Sequence, residues 1–217
     1  NFETKFGAQY NYNRQSVTTN HLYGTGQQVN GSLTINDLTR WSKTIQNILR
    51  YNKSFGDHNL DALVAYETFE QRAISSSSSK QNVIVPGLLT FNNYLVNSGD
   101  ASGFQNGSGI ESYFSQVNYN FANKYYLTGS IRTDGSSRFV DDKWGVFGSI
   151  GGAWVLSEES FMADSAITYL KLKGSWGVTG DQQGVSTSLA FDTFSAGFVG
   201  GALAINQVRN GNRELTW

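Results

Sequence analysis

The sequence predicts an all-β chain of antiparallel up-and-down strands, part of the wall of a large transmembrane β-barrel, with about seven or eight strands present. Three observations predict it: apolar side chains recur with period two, long and short connections alternate, and glycine and aromatic residues abound. Among 217 residues there are 24 Gly, 11 Tyr, 14 Phe and 5 Trp against one Pro and one Met. That profile suits strands and turns and not helices.

Period two means that successive side chains point to opposite faces. Near the start, Phe6, Ala8, Tyr10 and Tyr12 share a face, with Gly7, Gln9, Asn11 and Asn13 opposite. From 41 to 55, Trp41, Ile45, Leu49, Tyr51 and Phe55 alternate with Ser42, Thr44, Gln46, Arg50 and Asn52. Gly56, Asp57 and His58 then signal a tight turn, and Leu60, Ala62, Val64 and Tyr66 return. The stretch 74–109 holds a serine run, Ser75 to Ser79, and an Asn/Gly/Ser-rich end. It also holds Val83, Leu88, Phe91, Tyr94 and Leu95, so the expectation is a folded loop that packs, not a tether.

A second hairpin follows. Tyr113, Val117, Tyr119 and Phe121 lead to a turn at Ala122, Asn123 and Lys124, and Tyr125, Leu127 and Ile131 return. The segment 134–143 reads as a loop beginning Asp134-Gly135-Ser136-Ser137. Trp144, Val146, Ile150, Trp154 and Leu156 form the next strand face, with Gly148 and Gly152 marking bends or close approaches. Residues 157–162 read as one helical turn capped by Ser157. Leu170, Leu172, Trp176 and Val178 mark another strand, and weaker candidates lie near 189–194 and 202–208.

The connections near 16–40, 56–58, 74–109, 122–124, 134–143, 157–166 and beyond 179 alternate between long and short. That parity belongs to membrane barrels, with short periplasmic turns and longer extracellular loops. Several strands run to roughly 12 residues, past the 9 to 11 a tilted strand needs to cross hydrocarbon. No run of about 18 apolar residues exists for a helical span. Neither is there a visible signal peptide. Trp41, Tyr125, Tyr126, Trp144, Trp154 and Tyr169, near strand ends, are the expected membrane-interface aromatics.

Lys and Arg total 16 and Asp and Glu 17, a net charge of −1, so a nucleic-acid partner is not expected. Cysteine is absent. His21 and His58 sit in a loop and a turn, with no nucleophile elbow to build a triad. Adjacent Glu158 and Glu159 point to different sides and make poor acid–base partners. Asp134, Asp141 and Asp142 lack the dense spacing of a calcium loop. No catalytic residue, metal or cofactor is expected, and the chain is not read as an enzyme. The other readings are a soluble β-sandwich carbohydrate-binding module and an outer-membrane hydrolase.

Ordered motifs add a resemblance. Arg132-Thr133-Asp134-Gly135-Ser136-Ser137-Arg138-Phe139, then Lys143-Trp144-Gly145, Trp154-Val155-Leu156-Ser157-Glu158-Glu159 and Phe161-Met162 follow one another. Gly177-Val178-Thr179-Gly180-Asp181-Gln182 and Asn212-Arg213-Glu214-Leu215-Thr216-Trp217 complete the series. Together these resemble the SusC/RagA family of TonB-dependent outer-membrane transporters. Asp181 stands where that family usually has Asn, Trp176 where Tyr is common, and Gly148 and Arg213 where Pro is frequent. The resemblance implies a barrel of about 22 strands around an N-terminal plug. It implies uptake of glycans or peptides into the periplasm with a SusD-like surface lipoprotein, energised through TonB, in the outer membrane of a Bacteroidetes-like cell. Residues 1–217 are then a partial barrel domain without plug, TonB box or C-terminal strand, in contact with outer-membrane lipid. Loop aromatics Phe91, Tyr94, Phe104 and Phe198 are the candidate substrate contacts, since such rings stack on sugars. Packing of the loop itself is the favoured reading of the same residues.

Overall fold

The computed structural model describes residues 1–217. Its strands are β1 (Phe2–Thr19), β2 (Ser32–Phe55), β3 (His58–Val83), β4 (Tyr94–Asn97), β5 (Ser102–Phe121), β6 (Tyr125–Ser136), β7 (Trp144–Val155), β8 (Lys171–Val178), β9 (Thr193–Val199) and β10 (Ala202–Arg209). One sheet of eight strands runs in the order β1-β2-β3-β5-β6-β7-β8, with β4 paired to β3, and β9 and β10 form a separate hairpin. A β-sandwich would pack two sheets face to face. Here one up-and-down sheet carries the chain instead.

Several boundaries differ from the sequence reading. The serine run lies inside β3, and the Asn/Gly/Ser-rich stretch opens β5, so the folded loop is confined to about 84–101 instead of 74–109. Hydroxyls and amides pair across the strands there: Thr34 with Ser79 at 2.9 Å, and Ser77 donating to Asn36 at 2.6 Å. Alternation vanishes because both faces are polar, while the backbone ladder persists. For the same reason β2 starts at Ser32, not near Trp41. Asp134 to Ser136 end β6 and are not loop. The link 156–170 holds two 3-10 turns, Leu156–Glu158 and Ser160–Met162, without a side-chain cap. That link is longer than the 137–143 connection before it, so strict length alternation stops there. The first weak strand falls at Thr193–Val199, later than expected.

Two compact units divide the chain, residues 1–7, 44–70 and 108–217 in one, and 8–43 and 71–107 in the other. The second unit has its own small core of Leu33, Ile35 and Tyr94, against which Val83 and Phe91 pack. Asn93, 5% exposed, closes the loop below it: its amide donates to the carbonyls of Val85 and Leu88, and its oxygen accepts from the Val85 N–H. In the first unit the tight turn after β5 has Ala122 and Asn123 both left-handed, at φ 52° and 54°. That is the backbone of a two-residue hairpin turn matched to strand twist.

Candidate functional site

The first unit presents two chemically opposite faces, and the register fixes which residue belongs to which. Between β6 and β7 the directly opposed pairs include Tyr125↔Trp154, Leu127↔Gly152, Gly129↔Ile150, Ile131↔Gly148 and Gly135↔Trp144. Opposed residues share a face. A bulky apolar residue therefore stands opposite a glycine at four of these five pairs. Gly148 is a close approach of neighbouring backbone, where an added Cβ would stand 3.3 Å from the Ser130 carbonyl oxygen, and at Gly152 the Tyr126 carbonyl oxygen would be 3.6 Å away. Gly135 is tighter still, since an added Cβ would come within 2.9 Å of the Trp144 ring.

Two rows of rings bracket this apolar face. One follows Phe55, His58, Phe121, Tyr125, Trp154 and Phe161, with successive centroids 4.8–6.4 Å apart. The other joins Tyr66, Tyr113 and Trp144 at 5.1 and 6.1 Å. Trp154 stands ten residues after Trp144, about 33 Å along a strand at about 3.3 Å per residue. With a tilt of about 40° that length covers about 25 Å of height, the apolar band of an outer-membrane barrel. Val146, Gly148, Ile150 and Gly152 occupy β7 between the rows, with no charge among them.

At the turn end the connections bind one another. The Ala122 N–H donates to the Asp57 carbonyl at 2.7 Å, and the Val155 N–H to the Lys124 carbonyl at 2.8 Å. Glu159 accepts from the Tyr125 hydroxyl at 2.5 Å and the Trp154 indole at 3.0 Å, with the Lys124 ammonium 3.7 Å away. The Tyr125 hydrogen bond foremost, then that of Trp154, holds the Glu159 carboxyl below its ordinary range. His58 shares a 2.6 Å hydrogen bond with the Tyr119 hydroxyl and stacks on Phe55; its surroundings are aromatic, with no nucleophile.

The opposite face is polar and cross-linked. Arg132 donates to both oxygens of Asp134 at 2.7 and 2.9 Å, to Ser112 at 2.8 Å and to Glu67 at 3.5 Å, and Glu67 also accepts from Gln46 at 2.8 Å. Ser112 and Asp134 are buried by these contacts. Ser130 and Ser149, opposed in the register, share a 2.7 Å hydrogen bond.

At the loop end the sequence motifs turn out to grip each other. The Ser136 hydroxyl donates to the Gln182 side chain, and Arg138 donates to the carbonyls of Gln182 at 2.9 Å and Val185 at 2.6 Å. Phe139 is fully buried, with the Trp217 ring 5.5 Å away, and Trp217 donates to the Lys143 carbonyl at 2.8 Å. A Cβ on Gly180 would fall 2.2 Å from the Phe147 ring, so any other residue there requires that ring to move. Asp181 accepts from the Gln183 N–H at 2.7 Å, a turn bond that Asn makes equally well. Arg213 pairs with Asp141 at 3.0 Å. The guanidinium holds the Asp141 carboxyl below the usual carboxylate range.

The predicted residues are distributed unevenly over this frame. Tyr125 and Trp154 lie in one ring row and Trp144 in the other. Tyr126, next to Tyr125, points to the polar face, where the Lys171 ammonium sits 4.1 Å from its ring centre. Trp41, in the second unit, lies between Lys43 and Arg72 at 5.8 and 5.5 Å, and Tyr169 is exposed in the 156–170 link. Of the aromatics expected in loops, Tyr94 is buried at the start of β4 and Phe91 packs beside it, whereas Phe104 lies in β5 and Phe198 in β9, both exposed. Sequence reasoning missed Arg132, Ser136, Arg138 and Gln182 as contact residues. The motif marked them but carried no partner.

No family model matches the chain. A TonB-dependent receptor of Formosa agariphila is 29% identical over all of this chain and 21% of its own length. The TonB-dependent receptor SusC of Bacteroides thetaiotaomicron is 42% identical over 38% of this chain and 8% of its own length. A chain of the RagAB peptide transporter superposes over the whole chain with a TM-score of 0.89 at 22% identity, covering 24% of that chain. The chain thus spans about a fifth of the first relative's length. In sequence the chain is thus similar to a part of these much longer TonB-dependent receptors, and in fold to a part of the RagAB chain.

Proposed function

We propose that the chain forms part of the lipid-facing wall and outer rim of an outer-membrane TonB-dependent transporter, importing glycans or peptides into the periplasm. The carrying observation is the apolar face, about 25 Å tall between two ring rows, backed by a hydrogen-bonded polar face. Tyr125 and Trp154 sit at one interface and Trp144 at the other. The polar face lines the lumen. Loops at the far end reach the cell surface, where a SusD-like lipoprotein caps the barrel. Energy comes from TonB through a part of the receptor outside residues 1–217, and the chain performs no catalysis of its own. Phe104 and Phe198 are the aromatics open to a passing ligand.

Paired substitutions in the full-length receptor test the two faces. Ile150→Lys places a charge mid-band and is expected to destabilise by about 2–4 kcal/mol, read by denaturant unfolding in lipid vesicles. Ser149→Lys, one residue away on the lumen side, is expected to be near neutral. A neutral Ile150→Lys beside a damaging Ser149→Lys would reverse the faces, and a receptor that folds cooperatively in water without detergent would remove the membrane reading altogether.

A further inference from the structure

We propose that Glu111 and the apolar hollow beside it form a site for one membrane lipid whose headgroup ends in an ethanolamine ammonium. This rests on the barrel reading, which turns that face to lipid. Glu111 opposes Gly135, and Gly135 opposes Trp144, so the carboxylate stands on the apolar face at the level of the Tyr66, Tyr113 and Trp144 rings. The carboxylates of Glu3, Glu67 and Asp134 turn instead to the polar face, where Arg50 and Arg132 meet them. Glu111 accepts from the Tyr113 hydroxyl at 2.8 Å and pairs with no cation. Toward mid-band the same face holds a hollow of about 660 Å³ walled by Leu49, Val64, Tyr66, Tyr113, Ile131 and Val146. Ser115 and Thr133 are short side chains and open its floor.

Tyr113 and Ser115 follow Glu111 by two and four residues, about 7 and 13 Å along the strand. The carboxylate is thus at the mouth of the hollow, as a headgroup stands above its own tail. A carboxylate among anionic headgroups repels them, the more so in a medium less polar than water. An ammonium reverses the sign. It donates to the Glu111 oxygen that Tyr113 leaves free and lies against the Tyr66 and Tyr113 rings. A quaternary choline keeps the charge but has no N–H to donate. The tail gains packing in the hollow and no hydrophobic burial, since the surrounding lipid is equally apolar. Selectivity therefore resides in the headgroup.

Native mass spectrometry of the full-length receptor in detergent, mixed with phosphatidylethanolamine, phosphatidylcholine or phosphatidylglycerol of identical chains, tests the site. The expected result is one phosphatidylethanolamine retained per receptor, about tenfold above either other lipid, the worth of one charge-assisted hydrogen bond. Glu111→Gln brings the three lipids level, whereas Asp164→Asn, in the exposed 156–170 link, leaves the preference intact. Photolabelling of the wild type with a phosphatidylethanolamine carrying a diazirine on its tail needs no variant, so a misfolded mutant cannot obscure the answer. Its label is expected on 111–117 and 129–135. Equal retention of the three lipids, a preference that survives Glu111→Gln, or label spread evenly over the apolar face overturns the proposal. So does a second copy of the receptor cross-linked across Tyr113 in place of lipid. Evenly spread label still reports a lipid-facing wall, so the barrel reading outlives that failure; a wall that takes no label from any lipid removes both.

Discussion

The two ends of the first unit's sheet are held in different ways. At the turn end the contacts are between chain neighbours or adjacent strands: short turns, a ladder of rings, and one carboxylate collecting three donors. At the loop end one buried ring and one arginine join segments far apart in sequence, 138 to 182 and 139 to 217. The turn end spreads its stability over many modest contacts. The loop end concentrates it on a few side chains.

The difference predicts unequal responses to substitution. Phe139→Ala removes the ring on which the loop end closes, and a fully buried Phe truncated to Ala costs about 3–5 kcal/mol. Hydrogen exchange in the full-length receptor is expected to show loops 137–143 and 179–192 opening together, with the turn end unchanged. If only 137–143 opened, the two loops would not share a clamp. Glu159→Gln is the milder, pH-dependent counterpart at the turn end. The folded carboxyl is depressed, so its bonds stabilise the fold above about 4.5, the ordinary value, and this is lost as pH falls through the folded value. Thermal melting against pH is expected to have a flatter acid slope in the variant; parallel curves would detach Glu159 from the ring row. Asp141→Asn should matter least, because the pair with Arg213 is exposed and screened by salt. Its loss is expected to register only at low ionic strength, and an equal effect in high salt would reveal a contact beyond charge.

How much could be read beforehand follows the same division. Alternation located the membrane-length strands and the turns at 56–58 and 122–124, because there one face is apolar, the other polar, and a turn residue marks the end. It failed at Ser75 to Ser79 and at the start of β5, where both faces are wet and period two carries no contrast. It left Gly148 and Gly152 open between bend and close approach, since one strand cannot show that the Ser130 carbonyl of its neighbour lies 3.3 Å from where a Cβ on Gly148 would stand. Tyr126 was grouped with Tyr125 although adjacent strand residues face opposite ways. The clamp residues stood out as a motif, yet no local pattern says that Arg138 reaches the carbonyls of 182 and 185. Tyr94 shows the reverse: an aromatic in a polar loop reads as a ligand contact or as packing, and only burial against Leu33 and Ile35 places it.

The left-handed pair at Ala122 and Asn123 bears on the order of assembly. A turn this short brings β5 and β6 together at the smallest entropy of loop closure, and hairpins of this kind form in about 1–10 μs. The pairs from Phe121↔Tyr125 to Ile110↔Ser136 can zip from that seed without waiting for distant chain. The clamp at the other end must wait until Trp217 arrives. The wall is therefore expected to grow from its turns upward, with its rim the last part to set and the first exposed when folding stalls.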